Sequence, residues 1–211
     1  MSSPKVTTDQ WLAAAKYRRT VYGLKDTSPV PDSRIEEIVR EVISFAPSSY
    51  NTQPGRYTLV LGEKHKQLWD VVVENAAPVL KAAGPHVWAA MEPRFQRFNN
   101  AYGSLVFWTR GQSLQESKET HKSAAHLIDS FADHSGGMAQ ILLWTALELE
   151  GFGASLQHTG ASPPVEVALK QFLGVPDDYH FQANMVFGEP AQPFPDVPEK
   201  LPIDETLTVL K

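Results

Sequence analysis

The sequence holds 211 residues, 42% hydrophobic and 20% charged, with a formal net charge of −5 and no cysteine. That length supports one well-packed core, or at most two small ones, and the acidic balance argues against a nucleic-acid partner. Without cysteine there is no disulfide, thiolate nucleophile, thiol redox pair or cysteine metal site, so redox chemistry would have to run on a bound cofactor.

In chain order, "DQWLAAAKYRR" predicts a short helix with Asp9 as its N-cap. "SRIEEIVREVISFA" predicts a second: Ile35, Ile38, Val39, Val42 and Ile43 share one face, opposite Glu36, Glu37, Arg40 and Glu41, and Pro47 stops it. "RYTLVLG" and "SLVFWT" predict strands. Between them, "EKHKQLWDVVVENAAPVLKAAG" predicts a helix broken near Pro78. "SKETHKSAAHLIDSFADH" predicts an exposed or half-buried helix. The most apolar segment, "GGMAQILLWTALELEGFG", predicts a central buried helix, with Gly136 and Gly137 before it and Gly151 and Gly153 after it. "ASLQ" predicts a short extended piece, and "PPVEVALKQFLG" a helix that starts on prolines and stops at Gly174. "FQANMVFGEP" predicts a last strand, and the proline-rich tail, residues 190–211, is expected to be extended. No repeat or linker divides the chain. The expectation is one α+β domain over residues 1–211, a small sheet covered by helices.

No apolar run approaches the roughly 20 residues of a membrane span, and "MSSPKVTTDQW" lacks the apolar core of a secretory signal. A cytoplasmic location is expected.

The sequence has no GxxxxGK[ST] loop, no strand-linked GxGxxG and no GxSxG elbow. His126, Asp129 and Asp133 can share a helical face, with His134 adjacent, as a metal site or as a solvated surface. Arg18, Arg19 and Thr20, at the end of the first predicted helix, suit a phosphate, because guanidinium forks pair its oxygens. They equally suit a helix C-terminus. Gln157 and His158 follow the apolar helix beside glycines, where backbone N–H groups can face a flat heterocycle or simply form a loop. "FAPSSYNTQP" sets six polar residues between two prolines, more than a turn needs.

Taken in order, "RRTVY", "APSSYNTQP", "GMAQILLWTALELEGFGASLQH", "FGEP" and "PEKLPIDETL" resemble the nitroreductase family of FMN-dependent oxidoreductases, in its short fungal and bacterial subgroup. The resemblance implies a three-layer α+β fold with a small, mostly antiparallel sheet, in an intertwined homodimer with FMN at the interface. It assigns Arg18, Arg19 and Thr20 to the flavin phosphate, with Lys200 from the tail; Pro198 replaces the neighbouring basic residue, so one phosphate contact of the family is missing. Tyr22 stands where some relatives carry a lysine near the flavin ring. Pro47, Ser48, Ser49 and Asn51 would reach the flavin of the partner, while Gln53 and Pro54 shape the turn. Leu156, Gln157 and His158 would lie against the ring, where backbone donors favour negative charge on the reduced flavin and His158 is a candidate proton source. The implied activity is ping-pong reduction of nitroaromatics, quinones or similar acceptors with NADH or NADPH, the flavin carrying the chemistry and no metal taking part. The alternatives are a non-catalytic flavin-binding or regulatory protein and a small metal hydrolase on His126 and Asp129. Trp88, Phe95, Phe98 and Tyr102 are candidates for a lid over the ring or for core filling.

Overall fold

The computed structural model describes residues 5–211. The chain passes through α1 (Thr8–Tyr17), α2 (Asp32–Phe45), β1 (Gly55–Leu61), α3 (Glu63–Ala83), α4 (Pro85–Asn99), β2 (Gly103–Arg110), α5 (Gly111–Thr120), α6 (Ile128–Leu149), β3 (Gly153–Gln157), α7 (Pro163–Leu173), β4 (Tyr179–Gly188) and α8 (Ile203–Thr206). Among the described residues the strands form one antiparallel sheet in the order β1-β2-β4-β3.

Alternation along β2 sends Leu105 and Phe107 to one face, and Val106 and Trp108 to the other. The first face packs against α2 and α6 through Ile35, Val39, Val42, Leu143 and Leu147. The second packs against α3, α4 and α7 through Leu68, Trp69, Phe95, Phe98 and Leu169. The result is three layers with the sheet in the middle. In β4 the pairing slips: Phe107 opposes Ala183 while Trp108 opposes Phe181, leaving Gln182 as the bulged residue. The bulge flips the alternation, so Phe181 joins Trp108 on one face and Ala183 joins Phe107 on the other.

Helix α2 buries Ile35, Ile38, Val39 and Val42, each burial contributing roughly 1.5–3 kcal/mol. Ile43, expected on that face, is 38% exposed. Several boundaries differ from expectation. Thr7, not Asp9, caps α1, in a box where Gln10 N–H donates to Thr7 Oγ1 and Thr7 N–H donates to Gln10 Oε1. Pro78 does not break α3, because the face His65, Leu68, Trp69, Val72 and Ala76 is buried through the turns before it and Leu80 packs beyond it. Residues 117–134 are not one helix: α5 ends at Thr120, a 3-10 stretch covers Lys122–Leu127, and α6 begins at Ile128. Gly136 and Gly137 therefore lie inside α6. A Cβ on Gly136 would fall 2.1 Å from Oε1 of Gln182, so the glycine makes room for the bulge.

A buried polar chain crosses the α3 side of the sheet. His65 Nε2 lies 2.9 Å from the Phe98 carbonyl, so it carries the proton and donates. Nδ1 then accepts from the Ser104 hydroxyl at 3.0 Å, and Trp69 Nε1–H donates to Ser104 Oγ at 3.3 Å. Burial pushes the His65 imidazole down to about 4, so the ring is neutral at pH 7.

At the end of β4, Gly188 lets residues 23–27 pass. A Cβ there would sit 2.3 Å from the Lys25 carbonyl oxygen and 3.1 Å from Tyr102 N. Both are backbone atoms and cannot rotate away. Gly188→Ala is expected to destabilise the fold by about 1–3 kcal/mol, read as a lowered urea midpoint at unchanged slope. A midpoint equal to wild type would show that the 23–27 segment yields freely.

Candidate functional site

Two groups of candidate residues gather at separate places on the chain. The first is built on the stretch leaving α1. Thr20 forms a parallel bridge with Ala154 of β3, and Val21 N–H donates to the Ala154 carbonyl at 2.8 Å. The stretch thus extends the sheet beyond β3. Its anchor is Glu148, 1% exposed in the last turn of α6. Glu148 accepts from Arg19 N–H at 2.7 Å and from Trp144 Nε1–H at 2.8 Å, with the Ala154 N–H also directed at it. Burial pushes its carboxyl up to about 7, against the opposing pull of those donors and of the Arg18 charge.

Arg18 stacks its guanidinium 4.5 Å from the Trp144 ring. Arg19 folds back: Nη1 donates to the carbonyls of Arg18, at 2.7 Å, and of Lys16, which caps the end of α1. Its Nε is buried with no acceptor among the described residues. A buried donor left so costs about 1–3 kcal/mol unless an acceptor reaches it.

The end of β3 lies alongside. Leu156 turns to the α6 side of the sheet, packed against that cluster, so by alternation Gln157 turns to the other side. Gln157 donates from Nε2 to Ser155 Oγ at 3.1 Å. It pairs in register with Asn184, 3% exposed, whose Oδ1 has no partner among the described residues. Gln157 also lines a cavity of about 280 Å3 with Tyr22, Met91, Arg94, Arg97 and Phe98. His158 is exposed at the head of a 3-10 turn, Thr159–Ala161. Lys200 is exposed on the tail and does not line this cavity.

The second group is the loop after α2. Tyr50, Asn51 and Gln53 have φ of 54°, 54° and 47°, left-handed backbone costing of order 1–3 kcal/mol each for non-glycine residues, less for asparagine. Tyr50 is held by stacking on His121, centroids 3.9 Å apart, and by the edge of Phe131. Gln53 N–H donates to Ser48 Oγ at 3.0 Å, and Ser49 O accepts from Thr52 Oγ1 at 3.0 Å. Pro47 and Ser48 line a cavity of about 370 Å3 with Arg56, Ser135, Gly136 and Gln182. Pro47 and Asn51 are exposed, Ser48 and Ser49 half-buried.

The metal-hydrolase alternative fails on geometry. Asp129 pairs with Lys118 at 2.8 Å, and among the described residues no three His, Asp or Glu converge as metal ligands. The aromatic alternatives resolve mainly to packing: Phe95 and Phe98 are buried, and Trp88 and Tyr102 pack on the two core clusters. Glu148, Asn184, Arg94 and Arg97 were not singled out from sequence. For Glu148 a signal existed, a carboxylate within the apolar run "LLWTALELEG".

A model of the nitroreductase family matches residues 15–189. The chain belongs to the nitroreductase family. Nitroreductase FRM2 of Saccharomyces cerevisiae is 34% identical over 185 residues, covering 87% of this chain and 89% of FRM2. Nitroreductase CinD of Lactococcus lactis, solved with nicotinic acid, superposes at a TM-score of 0.83 and 25% identity, over 95% of this chain and all of CinD. An iodotyrosine deiodinase of Thermotoga neapolitana is 26% identical over 191 residues, 87% of this chain and 90% of the deiodinase. Arg18 and Gln157 lie inside the matched span of this chain; Lys200 lies beyond it. The α+β architecture expected of the nitroreductase family is the one observed, and the chain is an oxidoreductase of the nitroreductase type.

Proposed function

We propose that this nitroreductase-family chain binds FMN and uses NADH or NADPH to reduce nitroaromatics, quinones or similar electron-poor acceptors. The observation that carries the reading is the 18–20 stretch, where Thr20 bridges to β3, Glu148 holds the Arg19 N–H and Arg18 lies beside them over Trp144, and the buried Arg19 Nε–H lacks an acceptor among the described residues. A phosphate fits such a donor set, being an anion with several acceptor oxygens. Arg18, Arg19 and Thr20 would hold it, and Tyr22, Gln157 and the backbone of Leu156 and His158 would border the ring. FMN, when bound, would supply the hydride acceptor and donor that no side chain provides. The protein contributes position, donors toward negative charge, and exclusion of water.

We place a homodimer in the same reading, with Pro47, Ser48, Ser49 and Asn51 serving the partner's site. Supporting it, α2 and α6 leave Phe45, Ile141 and Leu149 exposed at 56%, 46% and 59%. Tail residues Leu201, Ile203, Leu207, Val209 and Leu210 are exposed as well. Exposed apolar side chains of this kind support an interface there. The C-terminal tail and Lys200 are read as part of it. Among the described residues no helix is long and apolar enough to cross a membrane.

The test is the visible spectrum of the purified protein, with the pigment identified after heat release. Expected are released FMN and anaerobic bleaching by NADH or NADPH; Arg18→Ala should weaken FMN binding by about ten- to a hundredfold. A colourless protein that also fails to bind added FMN would overturn the reading. Bound FMN without turnover would leave a flavin-binding protein on this scaffold.

A further inference from the structure

We infer that the cavity formed by α4, Tyr22 and Gln157 receives a small aromatic anion, with Arg94 and Arg97 as its charge-recognising pair. The inference rests on the flavin reading only in naming that ligand as the electron acceptor. The anion site itself stands on the residues of the cavity.

Helix α4 sorts its charges. Met91, Arg94 and Arg97 recur at a spacing of three residues, together with Phe98, and line the cavity with Tyr22 and Gln157. The helix's carboxylate, Glu92, faces a different cavity, with Asp70 and Trp88. Among the described residues neither arginine is paired with an acid; the recorded contact of the Arg94 guanidinium is Met91 Sδ at 3.8 Å. Like charges at this spacing cost the helix a few tenths of a kcal/mol. Arg97, in the last turn, is explained by the helix dipole, but Arg94 is not. The chain as a whole carries −5, which repels anions at long range, so two adjacent guanidiniums make a local exception.

The remaining lining sets the rest of the ligand. Met91, Phe98 and Tyr22 are broad apolar or aromatic surfaces, and Gln157 offers a side-chain amide. An apolar cavity of about 150 Å3 holds a benzene ring. The 280 Å3 here accommodates one substituted ring. Guanidinium forks match carboxylate as well as phosphate oxygens, and with an aromatic lining an aromatic carboxylate is the simplest ligand. When such an acceptor carries a nitro group, its two-electron reduction takes hydride from NADH or NADPH and one proton from solvent. One N–O bond breaks, giving a nitroso compound, water and the oxidised nicotinamide.

The test begins with direct binding of benzoate, and of neutral benzyl alcohol, to the protein as purified, by ligand-observed NMR. Benzoate should bind about tenfold tighter, and the preference should vanish in Arg94→Gln/Arg97→Gln and weaken with added salt. Both arginines are exposed, and a thermal melt checks that the variant is folded. Equal binding of the two compounds by wild type would overturn the anion site, whatever the flavin experiment gives. The second arm is steady-state kinetics with 4-nitrobenzoate and nitrobenzene. The substitutions should raise KM for 4-nitrobenzoate alone. If they instead raise KM for NADPH, with NADH and benzoate unaffected, the arginines read the reductant's phosphate and the acceptor assignment falls.

Discussion

Glu148→Ala is expected to lower the unfolding free energy by about 3–5 kcal/mol, a drop in Tm of about 10 °C for a chain of this size. The carboxyl receives Arg19 N–H, Trp144 Nε1–H and the Ala154 N–H inside a buried site. Removing it leaves those donors without an acceptor and opens a cavity at the end of α6. The second consequence is local. Arg19 N–H belongs to the stretch that carries Arg18 and Thr20, so its release should also deprotect the amides of residues 18–21 to hydrogen exchange. Glu148→Gln should lose less, because its oxygen still satisfies one donor while its amide group opposes another. An alanine variant within 1 kcal/mol of wild type would mean that the stretch is held by Thr20 and Val21 alone.

Stability is expected to be nearly flat between about pH 5 and 6.5, and two single substitutions should tilt it in opposite directions. His65 is protonated in the unfolded chain below its ordinary 6.5, but in the folded chain only near 4. Its contribution is therefore full above 6.5 and lost as pH falls toward 4. Glu148 runs the other way: the folded chain keeps the proton up to about 7, and the unfolded chain releases it at 4.5. Its contribution is full below 4.5 and lost as pH rises through 7. Each slope is about 1.4 kcal/mol per pH unit, so between 4.5 and 6.5 they cancel. Glu148→Gln should make stability rise by about 2 kcal/mol from pH 5 to 6.5, and His65→Gln should make it fall by a similar amount. Urea unfolding at the two pH values measures both. Parallel profiles for wild type and both variants would show that neither group is perturbed.

The periodicity of single elements was legible. Helix α2 is predicted within one residue at each end, and the strands within one or two residues, because both lengths and faces follow from spacing along the chain. What sequence spacing could not contain is anything set across the fold. Arg19 meets Glu148 from 129 residues away. The cavity of Arg94 and Arg97 closes only when Tyr22 and Gln157 arrive from opposite ends of the chain. Gly136 reads locally as a helix breaker, and its reason lies in Gln182, on strand β4. Pro78 likewise breaks a helix only when no buried face carries it. For the candidate site, "RRT" contains Arg19, whose Nε is the one buried unsatisfied side-chain donor among the described residues, and "PSSYN" contains two of the left-handed residues, Tyr50 and Asn51. The left-handed conformation at Tyr50 had no sequence signal, since tyrosine is not a residue that favours it.

Strand β4 is the last of the sheet in the chain yet sits inside it, between β2 and β3. During synthesis, β1 and β2 can pair as they emerge, but β3 has no strand that joins it to them until residues 179–188 exist. The 18–21 stretch, which lies on β3, must wait too. A nascent chain short of β4 therefore presents an unpaired strand edge and open apolar faces, the features that recruit chaperones and seed aggregation. The sheet of this protein is therefore completed late in translation, and loss of residues 179–188 removes not a terminus but the middle of the sheet.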